Sequence, residues 1–419
     1  MGSYKMINKT IDKVEIKRLK TLTKSEELYR NNCLDIFNRL GLPSKRDEDW
    51  KFSDVNEIFT KNFNKFNFES VNSKNQNVEF IKDLEHNFIL VSNGEVISSD
   101  FKYEDKGKIN LAQFKNEDFS KKNENNSLIY LNHALSEKGY SLDINKDYKF
   151  KKVLVIYNYF SSELNENFLN IRNKIKLSKN SELHVINLII VDSSKKFFSN
   201  TYEEIVLEDS AVLKNIYIQN NVNNGYFHKF ARYKLSKKSN YSSHIFPSGP
   251  KFNKFDLEYD LLGDESECKL IAATFLDQND HQEIKTKVNH LAPNCKSYQK
   301  VKKVVSGESK GVYQGKIYVK DIAQKTDAYQ LSKAILLSEN SEFDSKPELE
   351  IYADDVKCSH GSSSGSIDEE SIYYLMSRGL NKIESTKLLV EGFLSESIDT
   401  IKSTSIKKFL QTKLTGQIK

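Results

Sequence analysis

Leu177-Ser-Lys-Asn-Ser-Glu-Leu183 is the stretch that decides the fold, because its form returns along the chain. The form is Leu, then Ser or Gly, two polar residues, Ser, one polar residue and an apolar residue. Further copies begin at Leu235, Leu262 and Leu337, and a variant with the same turn chemistry begins at Leu207. A short polar stretch between apolar ends is typical of a tight connection between two β-strands.

The spacing of these heptads indicates the architecture. Leu177, Leu207, Leu235 and Leu262 follow one another at intervals of 30, 28 and 27 residues. A period of this length is typical of a solenoid, in which each unit buries its apolar face only by stacking on its neighbours. We therefore expect a mainly β protein with a β-helix core. A β-sandwich, in which such turns recur by chance at strand junctions, is the alternative.

The chain is predicted to divide into three regions. Residues 1–150 form an N-terminal helical and mixed region, with a helix over 25–40 and a strand over 88–91. Residues 151–364 hold a succession of short β-rich runs and form the β-helix core. Residues 365–419 form a helical C-terminal region, which starts with the capping-box pattern Ser366-Ile-Asp-Glu369 and has Asn381 as a second cap.

Composition argues against several classes of function. The 63 basic and 58 acidic residues are interleaved, whereas a nucleic-acid-binding face more often shows clustered basic residues. The most apolar run, Val185 to Val191, is seven residues long, far too short to span a membrane. No apolar signal segment is visible, and the four scattered cysteines fit a reducing compartment. We expect a cytoplasmic protein that binds neither nucleic acid nor membrane.

The densest group of chemically active side chains surrounds Cys358 and His360. The two residues are two positions apart, so in an extended strand they project from the same face. A thiolate beside an imidazole makes half of a site for a soft metal or an iron–sulfur intermediate. Two ligands are too few for a stable site, so a second chain or sulfide must complete it. The alternative is that Cys358 is a small core residue and His360 caps a strand-to-helix junction.

Other candidate residues are less informative. Asp354 and Asp355 could be the carboxylate pair of a carbohydrate-acting β-helix enzyme, a lyase or hydrolase, but adjacent strand residues point to opposite faces. Asp280-His281 and His290 could line a groove, although isolated histidines are usually structural. No Walker A motif occurs anywhere in the sequence, so we expect no ATP site on this chain.

Three C-terminal segments carry a resemblance to a known family: Lys346-Pro-Glu-Leu-Glu-Ile, Ala353-Asp-Asp-Val-Lys-Cys-Ser-His-Gly361 and Tyr374-Leu-Met-Ser-Arg-Gly-Leu380. They resemble the signature of the SufD family, a subunit of the SUF (SufBCD) machinery for iron–sulfur cluster assembly. Further similar segments are His290–Pro293, Gly315–Val319, Ala323–Gln330 and, near the N-terminus, Pro43–Phe52 with Glu48 and Trp50. The paralogue SufB usually has His-Glu-Ala where this chain has Cys358-Ser-His-Gly361.

The resemblance implies a right-handed parallel β-helix that acts as a scaffold and not as an enzyme. The β-helix would pair with SufB, and the C-terminal helices would bind the ATPase SufC. His360 and the neighbouring Cys358 match family positions at the SufB–SufD interface, where a transient iron–sulfur cluster forms. Reduced flavin is a further candidate cofactor of the complex, and the isolated chain could form a homodimer. Ser362-Ser363 departs from the more common Ala-Thr, which affects only local packing.

Overall fold

The computed structural model describes residues 10–19, 22–71, 78–114, 126–219 and 224–415. Its main feature is a parallel β-solenoid of about seven turns, flanked by N-terminal and C-terminal helices. This confirms the β-helix prediction and rules out the β-sandwich. None of the helices in the described ranges is long and apolar enough to cross a membrane.

The strands form two sheets. Sheet A contains β1, β2 and the odd-numbered strands from β5 to β19, and sheet B contains β3, β4 and the even-numbered strands from β6 to β18. In chain order the strands are β1 (His86–Ser92), β2 (Glu95–Asp100), β3 (Ile109–Gln113), β4 (Tyr140–Ile144), β5 (Val153–Phe160), β6 (Phe168–Leu177), β7 (Glu182–Val191), β8 (Phe197–Leu207), β9 (Val212–Gln219), β10 (Gly225–Leu235), β11 (Asn240–Pro247), β12 (Phe252–Leu261), β13 (Glu267–Leu276), β14 (His281–His290), β15 (Lys296–Val305), β16 (Lys310–Val319), β17 (Thr326–Leu336), β18 (Glu342–Ile351) and β19 (Val356–Ser366).

Helices cover the outer faces of both sheets. The α-helices are α1 (Val14–Lys17), α2 (Lys24–Leu40), α3 (Val55–Asn62), α4 (Ser127–Leu135), α5 (Glu369–Ser377), α6 (Lys382–Ser395) and α7 (Thr404–Thr415), with short 3-10 helices at Glu48–Trp50 and Lys106–Lys108. The N-terminal helices share an apolar cluster with outward residues of sheet B, such as Phe198 and Phe252. Apolar residues of α6 and α7, such as Val390 and Leu410, pack on the outer face of sheet A.

One corner of the solenoid explains the repeat. Leu177, Leu207 and Leu235 are in register at the ends of β6, β8 and β10, and all three are fully buried between the sheets. In the turn that follows, one residue per coil has a left-handed backbone conformation, for example Asn180 at φ 58° and Lys238 at φ 56°. Each donates its backbone N–H to the next coil: Asn180 to Asp209 O at 3.0 Å and Lys238 to Asp264 O at 2.9 Å. The polar turns are therefore the stacked edge of the solenoid.

Two of the quoted heptads lie elsewhere than their pattern suggests. Leu261, and not Leu262, continues the buried column, since Leu261 pairs with Leu235 while Leu262 is half exposed. The turn after β12 has one more residue than the turn after β10. The heptad at Leu337 belongs to the opposite corner, where the chain passes from sheet A to sheet B. Both corners have the same turn hydrogen bond, in which the second Ser of the heptad donates its hydroxyl to the backbone carbonyl of the first. Ser181 donates to Ser178 O, and Ser341 donates to Ser338 O.

Some of the predicted helix boundaries and caps are confirmed by the structure, and others are not. The N-terminal helix is confirmed as α2, with a capping box between Thr23 and Glu26. Asn381 caps α6 as predicted, whereas Ser366 belongs to β19 and α5 is capped by Asp368. β1 and β4, from the first 150 residues, pair with strands of the solenoid. The division of the chain at residues 150 and 364 stays a prediction.

Candidate functional site

The last coil of the solenoid is open. β18 is the final strand of sheet B and β19 is the final strand of sheet A, so in the described part of the chain each pairs along only one edge. Burial falls accordingly: residues of β16 are mostly buried, whereas those of β18 are intermediate and those of β19 mostly exposed. An open edge leaves backbone N–H and C=O groups free to pair with a further strand.

Cys358 and His360 lie on this open strand. Cys358 is half-buried and packs with Ala328 and Ala353 in the last apolar cluster between the sheets. His360 is exposed and is in register with Gln330, whose side chain is fully buried. Because side chains alternate along a strand, His360 faces the same way as Cys358, toward the end of the solenoid interior. Their Cα atoms are about 6.6 Å apart at the usual rise of a strand.

The chemistry of the thiol depends on its burial. Burial raises the pKa of Cys358, and the nearby carboxylate of Asp327 raises it further. The isolated chain therefore favours the protonated thiol at neutral pH. A cation at this position would displace the proton, since metal ligands must bind as the thiolate.

Polar side chains form the floor beneath the pair. Gln330 donates to Gly315 O at 3.3 Å, and its Oε1 accepts from the hydroxyl of Tyr313 at 3.4 Å. Farther along the strand, Ser332 Oγ lies 2.8 Å from Ser345 Oγ and donates to Ser362 Oγ at 2.9 Å. Sequence reasoning missed this floor. The signal available was the pair Gln330 and Ser332 at alternate positions of β17, which are in register with Gln299 and Val301 of β15.

The site is incomplete by itself. Within the described residues, no three His, Cys, Asp or Glu side chains come close enough together to hold a metal ion. Cys358 and His360 thus offer one sulfur and one nitrogen donor, and any further donor must come from outside this part of the chain.

The other candidate residues lie apart from this pair. Asp354 and Asp355 are exposed in the turn between β18 and β19, where the Asp355 backbone carbonyl accepts from Lys325 N at 2.6 Å. His290 is buried in the continuation of the leucine column and lies 2.9 Å from Ser297 Oγ. His281 lies 2.8 Å from Ser53 Oγ, beneath the N-terminal segment. Burial lowers the pKa of both histidines to about 4, which indicates structural, uncharged side chains.

The C-terminal helices present a second surface. α6 is held on sheet A by Lys302, whose Nζ donates to Phe393 O at 2.8 Å and pairs with Glu396 at 2.5 Å. α5 and α6 also keep large apolar side chains exposed, namely Tyr373, Tyr374, Met376, Ile383 and Leu388. Ile383 is 75% exposed, which is unusual for an aliphatic side chain.

Two family models match the chain. One, described as the SufBD core domain of SUF system FeS cluster assembly, covers residues 159–393. The other, described as the SufBD protein N-terminal region, covers residues 17–156.

Individual relatives agree with these models. The chain is 27% identical to the iron-sulfur cluster assembly protein SufD of Escherichia coli over 67% of each chain. It is 31% identical to SufD of Bacillus subtilis over 32% of this chain and 31% of that protein. It is 25% identical to the chloroplastic protein ABCI7 of Arabidopsis thaliana over 62% of this chain and 56% of that protein. The chain thus spans between about a third and two thirds of the length of these relatives.

Proposed function

Because this chain belongs to the SufBD family of SUF-system iron–sulfur cluster assembly proteins, we propose that it is a scaffold subunit which contributes a ligand from its open last coil. A role in iron–sulfur cluster assembly follows from the family. The finer claims concern the partner, the ligands and the ATPase, and each has its own support in the structure.

The open coil supports pairing with SufB. Within the described residues β18 and β19 each pair along one edge only, and a second β-helix could add its own strands at the other edge. Such pairing would cover the half-buried Cys358 and the exposed His360 at the same time. The observation that carries the proposal is that both side chains lie on β19, the strand of sheet A after which the described residues form no further coil.

The incomplete donor set supports a shared site for the cluster, which is cargo and not a resident cofactor. One thiol and one imidazole would bind iron only together with donors from the partner chain or with sulfide. Since the pKa of Cys358 is raised, iron binding at its sulfur would release a proton and would strengthen as the pH rises.

The exposed apolar side chains of α5 and α6 support docking of the SufC ATPase. A helix pair anchored on sheet A through Lys302 would transmit movement of a bound ATPase to the solenoid. The chain itself would act as a scaffold and not as an enzyme. The proposed involvement of reduced flavin and the cytoplasmic location stay predictions.

Replacement of His360 by Ala tests the cluster site. The variant, co-expressed with SufB and SufC, should assemble normally, because His360 is exposed and supports no neighbouring side chain in the described structure. Its cluster content should fall to about a tenth of the wild-type value or less, since loss of even a partner that only orients a ligand typically costs about 10- to 100-fold in metal affinity, and loss of the ligand should cost at least as much. The measurement is iron and acid-labile sulfide per complex, with gel filtration to verify assembly.

Ser359→Ala is the matched control, because Ser359 lies between the two ligands but faces the opposite side of the strand. It should leave both assembly and cluster content unchanged. A normal cluster content in the His360→Ala complex would exclude His360 as a ligand.

A further inference from the structure

A pocket lies between sheet A and the segment that joins α6 to α7. Its floor is the outer face of β5, β7, β9, β11 and β13, and its roof consists of residues 400–406. The volume is about 210 Å³. The roof is fixed by His244 on β11, whose Nε2 lies 2.8 Å from Thr400 Oγ1. Neither the open coil nor the exposed apolar side chains of α5 and α6 take part in it.

The interior of the pocket is apolar. Val153, Ile216, Ile401 and Ile406 line it, and the exposed surface inside is mostly carbon. A cavity of about 150 Å³ with aliphatic walls is large enough to bind benzene. The pocket therefore has room for an apolar group of about the size of a phenyl ring together with a small polar substituent.

Positive charge surrounds this interior. Lys269 on β13 and Lys402 in the roof line the pocket, and neither is paired with a carboxylate among the described residues. Lys214 and His184, at the other side of the mouth, share the single carboxylate of Glu182 at 3.3 Å and 2.9 Å.

The remaining nearby groups leave this positive charge uncompensated. Burial lowers the pKa of Lys269, and the neighbouring Lys300 lowers it further. Lys300 itself pairs with Glu396 on the far side, at 3.1 Å. Burial, helped by Lys269, lowers the pKa of His244 to about 4, so His244 is neutral at pH 7. The Nζ atom of Lys269 lies 5.5 Å from the centroid of the Tyr298 ring, which carries no compensating carboxylate. Lysines without a carboxylate partner at the mouth of an apolar pocket favour a ligand of opposite charge.

We propose that this pocket is a binding site for a small organic anion, namely a phenyl-sized apolar group that carries one carboxylate or phosphate. The apolar part would lie on Ile216, Ile401 and Ile406, and the anionic part would lie between Lys269 and Lys402. The inference is independent of the proposed role in cluster assembly, because it rests on a different face of the molecule.

Binding would have a structural consequence. Residues 400–406 are held on sheet A by His244 and by apolar contacts of Ile401 and Ile406. A ligand that contacts both Lys269 and Lys402 would join the roof to the floor. It would therefore slow the opening of the segment between α6 and α7 and fix the positions of both helices on the sheet.

The test is to titrate the full-length chain with benzoate and with phenyl phosphate and to measure binding by isothermal titration calorimetry. At least one of the two should bind with 1:1 saturation, and comparison of them distinguishes carboxylate from phosphate recognition. Benzyl alcohol, which has the same ring without the charge, should bind at least about tenfold more weakly. Inorganic phosphate, which has the charge without the ring, should also bind at least about tenfold more weakly.

Substitutions locate the site. Lys269→Gln and Lys402→Gln should each weaken binding about tenfold or more, and Lys269→Arg should restore part of it. Lys402 is exposed in the roof, so the Lys402→Gln variant should fold even if the Lys269→Gln variant does not. Lys333→Gln, an exposed lysine on the same face of sheet A two strands away, should bind as the wild type does. Equal binding of benzyl alcohol, no saturation by either anion, or unchanged affinity in the Lys402→Gln variant would overturn the proposal.

Discussion

Lys303 on β15 is fully enclosed between the two sheets. Its Nζ donates to the backbone carbonyl of Gln282 at 3.2 Å and to the side-chain oxygen of the same residue. No carboxylate pairs with it among the residues that the structure describes. Burial lowers the pKa of Lys303 to about 7, against a smaller opposing effect of Glu283. A lysine in such surroundings makes the stability of the fold depend on pH.

Replacement of Lys303 by Met tests this dependence. In the unfolded chain the lysine titrates near pH 10.4, so between about pH 7 and 10.4 the folded chain binds fewer protons. The contribution of Lys303 to wild-type stability is therefore most favourable above that range and becomes less favourable as the pH decreases toward 7. Lys303→Met should unfold with a free energy higher by on the order of 4 kcal/mol at pH 7, and this gain should almost vanish at pH 10.5.

Urea unfolding of wild type and variant at the two pH values provides the measurement. Lys333→Met, at an exposed position, should show little difference from wild type at either pH. A stability gain of equal size at both pH values would show that Lys303 is not the titrating group.

At the scale of the elements, the left-handed residues at the corner are a point of strain. Lys238 has φ 56°, a conformation that costs a residue with a Cβ roughly 1 kcal/mol relative to glycine. Lys238→Gly should raise the free energy of unfolding by about 0.5–1 kcal/mol, and Lys238→Val should lower it by about 1–2 kcal/mol. The exposed ion pair of Lys238 with Glu265, at 3.5 Å, should contribute little to either difference.

Chemical denaturation of the three proteins measures these changes. Lys237→Gly is the control, because Lys237 precedes Lys238 in the same turn and is not left-handed. It should destabilise the fold through the entropy of the unfolded chain. If glycine were equally unfavourable at both positions, backbone strain at Lys238 would be excluded.

The corner also shows how far the sequence determines the elements. The heptads at Leu177, Leu207 and Leu235 predict three successive corners. At each corner a left-handed polar residue is followed by a small buried residue, namely Ser181, Ala211 or Ser239. The heptad at Leu337 could not be assigned to the opposite corner, since both corners use the same Ser-to-carbonyl hydrogen bond. The heptad pattern places Leu262 in the buried column, whereas Leu261 occupies that position. The turn after β12 is one residue longer than the turn after β10 but has the same polar composition, so the pattern does not reveal the extra residue.

At the scale of the whole molecule, a buried ionic network fixes the N-terminal segment to sheet B. Lys254 pairs with Glu283, and the side chains of both are inaccessible to solvent. The ring of Trp50 lies 4.5 Å from Lys254 Nζ, and the backbone carbonyl of Asp49 accepts from the same nitrogen at 3.1 Å. Ser53 donates its hydroxyl to Glu283. The segment around Trp50 thus shields an ion pair that would otherwise face water.

Trp50→Ala should loosen this attachment. Removal of a fully buried ring should lower the free energy of unfolding by roughly 3–5 kcal/mol and admit water to the ion pair. Amide hydrogen exchange in α2, α3 and α4 should become faster, while exchange in β15 and β17 should change little, because these strands lie outside the apolar cluster of Trp50. Trp50→Phe should have a smaller effect. Phe80→Ala, at a partly exposed ring, is the control.

Unchanged exchange in α2 to α4 after loss of Trp50 would show that other contacts hold the N-terminal region. The network itself was not predictable from the sequence. Lys254, Asp256 and Glu258 alternate with Phe255 and Leu257, which is typical of a strand with one face in water. Only the folded chain shows that α4 and the Trp50 segment cover that face. The placement of Cys358 and His360 on one side of one strand, by contrast, followed from their spacing alone.

The parallel register of sheet A fixes the distances between residues that lie in one row across its strands. Ser242, Lys269, Tyr298, Tyr329 and Ser359 occupy one row across five neighbouring strands. Each step along the row is about 4.8 Å, so spin labels at positions 242 and 359 would be separated by about 19 Å at the backbone. If β19 detached from β17, the distance between labels at positions 242 and 359 would increase, while the distance between labels at positions 242 and 298 would stay the same.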